Sequence, residues 1–280
     1  MHEMRGVIKV LQSYLQGKLF RSISSLLRGY PLSYCISSLF PSISYKIGLF
    51  PRVIKAPDGS KYFCAIKDVL RVNLWDYDEY DSLESHIPRK GWIVIDVGAF
   101  CGLFSIKAAR RVGLEGRVYA FEPNPMVFWW LKRNIELNRV KNIVAMPIAL
   151  GSLMGYARLN IPSDNLGAAS LLPSHLCRLG LRSSKNVSVK LWTLDEVFER
   201  IIKEDSADLI KIDVEGAEID ILRGASRVLR DRKIKRWIIE IHLTVNDPSS
   251  IRRYFPSIYK LKGYSYSPLG QKAIAYYQLE

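Results

Sequence analysis

Ile93-Val94-Ile95-Asp96-Val97-Gly98-Ala99-Phe100-Cys101-Gly102 decides the fold of this chain. A mostly apolar run closes on an acid and a glycine, and a helical pattern follows. This is a strand, a sharp turn and a helix in succession. A Cβ at Gly98 would hold a ligand away from the backbone, and Gly102 permits close helix–strand packing. The first amides of the helix and the positive end of its dipole then face whatever sits in the turn. About 24 residues beyond Gly98, the run Val118-Tyr119-Ala120-Phe121 closes on Glu122-Pro123-Asn124. That spacing suits one βαβ unit whose second strand sets a carboxylate against ribose hydroxyls.

The ligand class follows from what is present and what is missing. The glycine spacing is Gly98-x-x-x-Gly102, so the dinucleotide fingerprint G-x-G-x-x-G is absent, as is a G-x-x-x-x-G-K-[ST] phosphate loop. An acid two residues before the first glycine repels a pyrophosphate and suits a cationic group. S-adenosylmethionine carries a carboxylate, an ammonium and a sulfonium, and is the expected cofactor. A glycine pair alone would be only a tight turn; in register with Asp96 and Glu122-Pro123 it is a binding motif.

Working outward, strands are expected at 92–97, 117–122, 143–148, 208–213 and 236–241, with helices at 103–112, 125–138, 194–203 and 217–230. Such alternation gives an α/β fold, a mostly parallel sheet with helices on both faces. The stretch 155–192 interrupts the rhythm and reads as a substrate-side insertion. Residues 259–266 and 272–279 read as a closing hairpin. Short strands around Pro57-Asp58-Gly59-Ser60 precede the regular part. The organisation expected is an N-terminal helical extension (1–50), a small β-rich lead-in (51–90) and the main domain (91–280).

The 280 residues carry 41 Lys and Arg against 27 Asp and Glu, a formal net charge of +14. That favours an anionic partner: nucleic acid, an acidic lipid surface, or a phosphorylated or sugar-acid substrate. Basic clusters at Arg227–Arg236 and Arg178–Lys190 lack interleaved aromatic platforms and read as solvated surface. Four scattered cysteines with no C-x-x-C pair argue against a zinc scaffold or a disulfide framework. Residues 5–28 have an amphipathic, basic helical pattern, which either packs on the main domain or rests peripherally on an acidic membrane. No apolar run reaches transmembrane length, and nothing at the N-terminus reads as a cleavable signal, so a cytoplasmic location is expected.

A second constellation is Leu209-Ile210-Lys211-Ile212-Asp213-Val214-Glu215-Gly216-Ala217-Glu218. In an open parallel sheet, ligands sit beyond the carboxyl ends of the strands, so Asp213 and Glu215 belong to the same rim as Asp96 and Glu122. The later strand adds Glu240 and His242. A hydroxyl is a poor nucleophile at neutral pH; O-methylation therefore benefits from a base, for which Asp213, Glu215 and His242 are the catalytic candidates, or from a metal. Asp213, Glu215, Glu240 and His242 offer donors to a divalent ion. Against this, Glu215 and Glu218 serve equally well as compensation of a helix N-terminus, and His242 as an exposed strand-end residue.

The chain from about 75 to 245 resembles the FkbM family of S-adenosylmethionine-dependent methyltransferases. The resemblance lies in Asp78-Glu79-Tyr80-Asp81, Ile95 to Gly102, Phe121 to Pro125, Leu191-Trp192-Thr193-Leu194-Asp195 and, most specifically, Ile210 to Glu218 followed by Ile221-Leu222-Arg223-Gly224-Ala225. It implies a Rossmann-like class I methyltransferase fold acting on hydroxyls of small molecules, sugars or lipid-linked glycans. It further implies that Asp96, Gly98, Ala99 and Gly102 line the methionine end of the cofactor. Glu122 would hold the ribose diol, flanked by Pro123 and Asn124, and Ala149 would border the adenine. The loop Asn165 to Ser170 is expected near the acceptor. The family's usual Asn after Gly-Ala is Phe100 here.

Two other readings compete. Ribose 2′-O-methylation of RNA fits the charge, with Asp213 and Glu240 as half of a Lys/Asp/Lys/Glu set whose lysines have no assigned positions. A non-catalytic scaffold at an anionic surface would need no acceptor at all, but intact Asp96 and Glu122 argue against a decayed site.

Overall fold

The computed structural model describes residues 53–56, 58–63, 79–162, 165–266 and 271–280. The amphipathic stretch 5–28, Asp78, Cys35 and Cys64 lie outside the described residues. A minimal hairpin comes first, β1 (Ile54–Lys55) against β2 (Lys61–Tyr62). The turn is set by Gly59 at φ +80° and by the Asp58 carboxylate, which accepts from the Ser60 amide at 2.8 Å.

The main sheet begins with β3 (Ile93–Val97), followed by α1 (Leu103–Val112), β4 (Arg117–Phe121), α2 (Pro125–Asn138) and β5 (Ile143–Met146). Both helices have the bounds the sequence implies. Helix α1 is punctuated by Gly102 and Gly113, both at positive φ. Helix α2 is capped by the Asn124 side chain on the Met126 amide, with Pro125 at its first position.

The strand expected at 143–148 is two strands. Pro147 has no N–H to donate, and the chain leaves the main sheet there. Residues Ile148–Leu150 form β6 in a second, three-stranded sheet with β7 (Gly155–Pro162) and β8 (Ser183–Trp192), in the order β6-β8-β7. The insertion at 155–192 is thus β7, the short helix α3 (Pro173–Arg178) and β8. Two helices also differ from expectation. The one expected at 194–203 is α4 (Leu194–Val197) continued as a π-helical turn over Phe198–Ile202. The one expected at 217–230 is broken into α5 (Glu218–Arg223) and α6 (Ser226–Arg230). The break falls where Gly224 packs on the Gly151 carbonyl, and a Cβ there would lie 2.0 Å from that oxygen.

Strands β9 (Leu209–Ile212) and β10 (Arg236–His242) complete the parallel part. After α7 (Pro248–Arg252), the closing hairpin β11 (Tyr259–Tyr266) and β12 (Lys272–Leu279) pairs antiparallel to β10. The order across the sheet is β11-β12-β10-β9-β3-β4-β5. Burial on both faces explains why these strands read as nearly continuous apolar runs. Successive residues alternate between two cores: Ile95, Ile210 and Ile239 enter one, and Val94, Leu209 and Ile238 the other. Each such buried aliphatic side chain contributes about 2 kcal/mol. Among the described residues, no helix is long and apolar enough to cross a membrane.

Candidate active site

From β3 the chain winds outward through β4 and β5, then returns to build β9 and β10 on the other side of β3. The reversal opens a crevice at the carboxyl ends of β3 and β9, the place where open α/β sheets bind ligands. The two connections touch there. A Cβ on Gly98, whose φ is +75°, would lie 1.7 Å from the carbonyl oxygen of Asp213. Only glycine fits, and its absent side chain leaves the mouth open.

A cavity at this mouth is lined by Gly98, Ala99, Phe100, Glu122, Pro123 and Ala149, and on the far side by Tyr80, Lys211, Asp213 and Glu215. Residues expected on the cofactor side from two different strands are therefore brought together. Glu122 is 7% exposed and accepts from the amides of Phe100 at 2.9 Å and Asn124 at 2.8 Å. Burial raises its pKa to about 7 despite those two donors. Phe100 makes its amide contact from the left-handed region, φ +50°, which an Asn tolerates more easily than an aromatic residue.

Three expected cofactor residues do not line this cavity. Asp96 is fully buried, accepting from Ser105 Oγ at 2.5 Å and pairing with Lys211 Nζ at 3.1 Å. It thus anchors a lysine that itself lines the cavity and donates to the Gly98 carbonyl at 2.8 Å. Gly102 serves helix–helix packing rather than helix–strand packing, since a Cβ there would meet Leu131 of α2 at 2.7 Å. Asn124 is 1% exposed and caps α2.

A second recess, lined by Asn165, Ala168, His175, Glu215, Glu240, His242, Gln271 and Lys272, shares Glu215 and Lys272 with the first. The catalytic candidates gather along this seam. His242, buried rather than exposed, has Nδ1 2.7 Å from Glu218 Oε1. Its Nε2 lies 3.3 Å from Glu215 Oε2, 3.6 Å from Glu240 Oε1 and 4.0 Å from Asp213 Oδ1. His175, 67 residues earlier in the chain, brings Nε2 to 2.9 Å from the same Glu215 oxygen, while its Nδ1 meets Thr244 Oγ1 at 2.8 Å. Glu215 holds its position with a left-handed backbone, φ +53°. Burial would raise the Glu215 carboxyl, but the imidazoles of His242 and His175 outweigh it and hold it below the usual range. Burial would lower His242, but Glu218 and Glu215 outweigh it and raise it well above an ordinary imidazole.

The hydroxyl of Tyr80 lies 3.0 Å from Asp213 and 2.8 Å from Glu240, and burial beside these acids pushes it well above its ordinary value. Lys272 spans Glu79 at 2.6 Å and Glu240 at 2.9 Å, and Lys211 approaches Asp213 at 3.7 Å. One lysine thus stands beside Asp213 and another beside Glu240. Lys211 had a signal, a cation inside an otherwise apolar buried strand; Lys272 and His175 had none. The loop Asn165–Ser170 runs between the recesses, and Ser170 Oγ donates to the Glu215 carbonyl at 2.6 Å.

Known methyltransferases resemble the chain over about half to two thirds of its length. The chain is 26% identical over 207 residues to methyltransferase sdnD of Sordaria araneosa, covering 64% of this chain and 76% of that protein. It is 27% identical over 143 residues to methyltransferase 1 of Beauveria bassiana, covering 47% and 57%. It is 27% identical over 190 residues to the hexuronic acid methyltransferase AglP of Haloferax volcanii, covering 67% and 66%. The chain thus spans less than two thirds of the length of two of these three. The model of the methyltransferase FkbM domain matches residues 96–266, more than half of the chain. With its βαβ cofactor crevice and that match, the chain belongs to the FkbM family of S-adenosylmethionine-dependent methyltransferases.

Proposed function

We propose that the enzyme transfers the methyl group of S-adenosylmethionine to a hydroxyl of a small molecule or sugar, most simply a glycan-type acceptor bearing a carboxylate. The observation that carries this reading is the pair of recesses sharing Glu215 and Lys272, with Asp213 at the seam. The first recess would hold the cofactor, with Gly98 and Ala99 toward its methionine end, Glu122 beside Pro123 toward its ribose diol, and Ala149 toward its adenine. Asp96 and Gly102 support this end through Lys211 and the packing of α1, and Asn124 does so by capping α2. The acceptor enters the second recess, which meets the first at Glu215 and Lys272. As the acceptor oxygen attacks, its O–H bond breaks and the proton passes to Asp213. The O–CH3 bond forms while the S–CH3 bond breaks, its electron pair staying on sulfur to leave S-adenosylhomocysteine. Residues 91–280 constitute the catalytic domain in this reading. AglP, named for hexuronic acid methylation, supports a sugar-acid acceptor.

Calorimetric titration with S-adenosylmethionine and S-adenosylhomocysteine tests the first half. Binding that Glu122→Ala weakens at least 10-fold is expected, and no binding by folded wild-type protein would overturn the reading. A screen of uronic acids and neutral glycans for S-adenosylhomocysteine release then tests the acceptor class.

A further inference from the structure

We infer that His175, Glu215 and His242 form a binding site for a first-row divalent metal ion at the acceptor side of the seam. This deepens the function proposed above and rests on it for its role, though not for its test. The donor atoms, two imidazole nitrogens and a carboxylate oxygen, lie within 4.8 Å of one another. Each imidazole is fixed from behind. Thr244 Oγ1 holds Nδ1 of His175, and Glu218 Oε1 holds Nδ1 of His242, so both Nε2 atoms converge on Glu215 Oε2. Outer partners of this kind are what orient metal-binding imidazoles.

The charge around the seam is also lopsided. Lys211 pairs with Asp96 and Asp213, and Lys272 with Glu79 and Glu240, while Glu215 and Glu218 both face His242. Acids thus outnumber the lysines beside the three donors, a setting that favours a bound cation. An N2O donor set suits Mn2+, Fe2+, Co2+ or Zn2+ better than Mg2+ or Ca2+, which prefer oxygen alone. Bound beside the acceptor, such an ion acidifies the hydroxyl whose proton Asp213 receives.

The test is titration of the chelator-treated full chain with Mn2+ and with Zn2+, read by calorimetry and, for Mn2+, by loss of the free-ion paramagnetic signal. One equivalent should bind, His175→Ala and Glu215→Gln should each weaken it at least 10-fold, and Thr244→Val by about 10-fold. A metal-dependent rise in melting temperature, present in wild type and absent in His175→Ala, should accompany it. Titration of the same samples with S-adenosylmethionine separates the two proposals. Wild-type protein that binds the cofactor but neither metal would overturn this inference alone, leaving a proton on His242 as the charge at the seam. Metal binding unchanged in all three variants would overturn it equally. Absence of cofactor binding would instead sink the methyl-transfer reading.

Discussion

At the scale of single residues, the site depends on how burial prices charge. Glu122 holds its proton up to about pH 7 because burial outweighs two amide donors. A ribose diol donates to the ionised form, so cofactor binding should drive the proton off. Affinity for S-adenosylmethionine is expected to fall about 10-fold per pH unit below 7 and level off above it. Calorimetry in buffers of different ionisation heat should register a released proton at pH 6; a pH-independent Kd between 5.5 and 8 would contradict this role. Asp213, by contrast, is assigned to the chemical step. Asp213→Asn should leave cofactor affinity within about twofold and lower kcat about 100-fold or more, the usual weight of a general base. These acids were legible because each ends a buried apolar strand, where a charge needs a reason. His175 was not, because it lies in an insertion without periodicity and reaches the seam only through tertiary packing.

The elements show the same division. Helices α1 and α2 were legible to the residue, since glycines, a capping Asn and Pro125 mark their ends in local chemistry. The break between α5 and α6 was not, because its cause, the Gly151 carbonyl against Gly224, lies 73 residues away in sequence. One polar side chain on α2 ties three elements together. Asn134, fully buried, accepts from the Phe63 amide at 2.5 Å and donates to the carbonyls of Phe63 at 3.0 Å and Cys101 at 2.7 Å. It thus bridges the lead-in hairpin to the turn that carries the cofactor glycines. Asn134→Ala leaves these buried backbone groups without partners, at a cost of about 1–3 kcal/mol. Hydrogen exchange should locate the damage, with faster exchange at the Phe63 amide and across β1 and β2 while β9 and β10 stay protected. Uniform acceleration through the main sheet would mean that Asn134 matters to the whole core instead.

Across the whole molecule, charge is sorted by depth. Among the described residues Asp96, Glu122, Glu218 and Glu240 are buried against Lys107 and Lys211, so burial withdraws more acid than base from their surface. One buried imidazole far from the seam joins distant parts of this fold. His86 is fully buried before β3, with Nε2 3.0 Å from the carbonyl of Tyr277 in β12, 191 residues away, and its ring edge-on to Tyr276. Burial, helped by the nearby Arg236 and opposed by the Tyr277 carbonyl, lowers its pKa to about 4. The unfolded chain takes up this proton near pH 6.5, whereas the folded chain refuses it until about pH 4. The unfolded state therefore binds more protons in that window, and stability falls as pH falls through it. The loss attributable to this one ring should approach about 2–3 kcal/mol at pH 4.5, since each tenfold difference in proton affinity between the two states is worth about 1.4 kcal/mol. Melting temperatures of wild type and His86→Gln, which keeps an N–H for the Tyr277 carbonyl but cannot protonate, should diverge in slope below pH 6.5, the variant losing stability less steeply. Parallel curves would mean that the acid sensitivity of the fold arises elsewhere and that the clasp between the lead-in and β12 is neutral to pH.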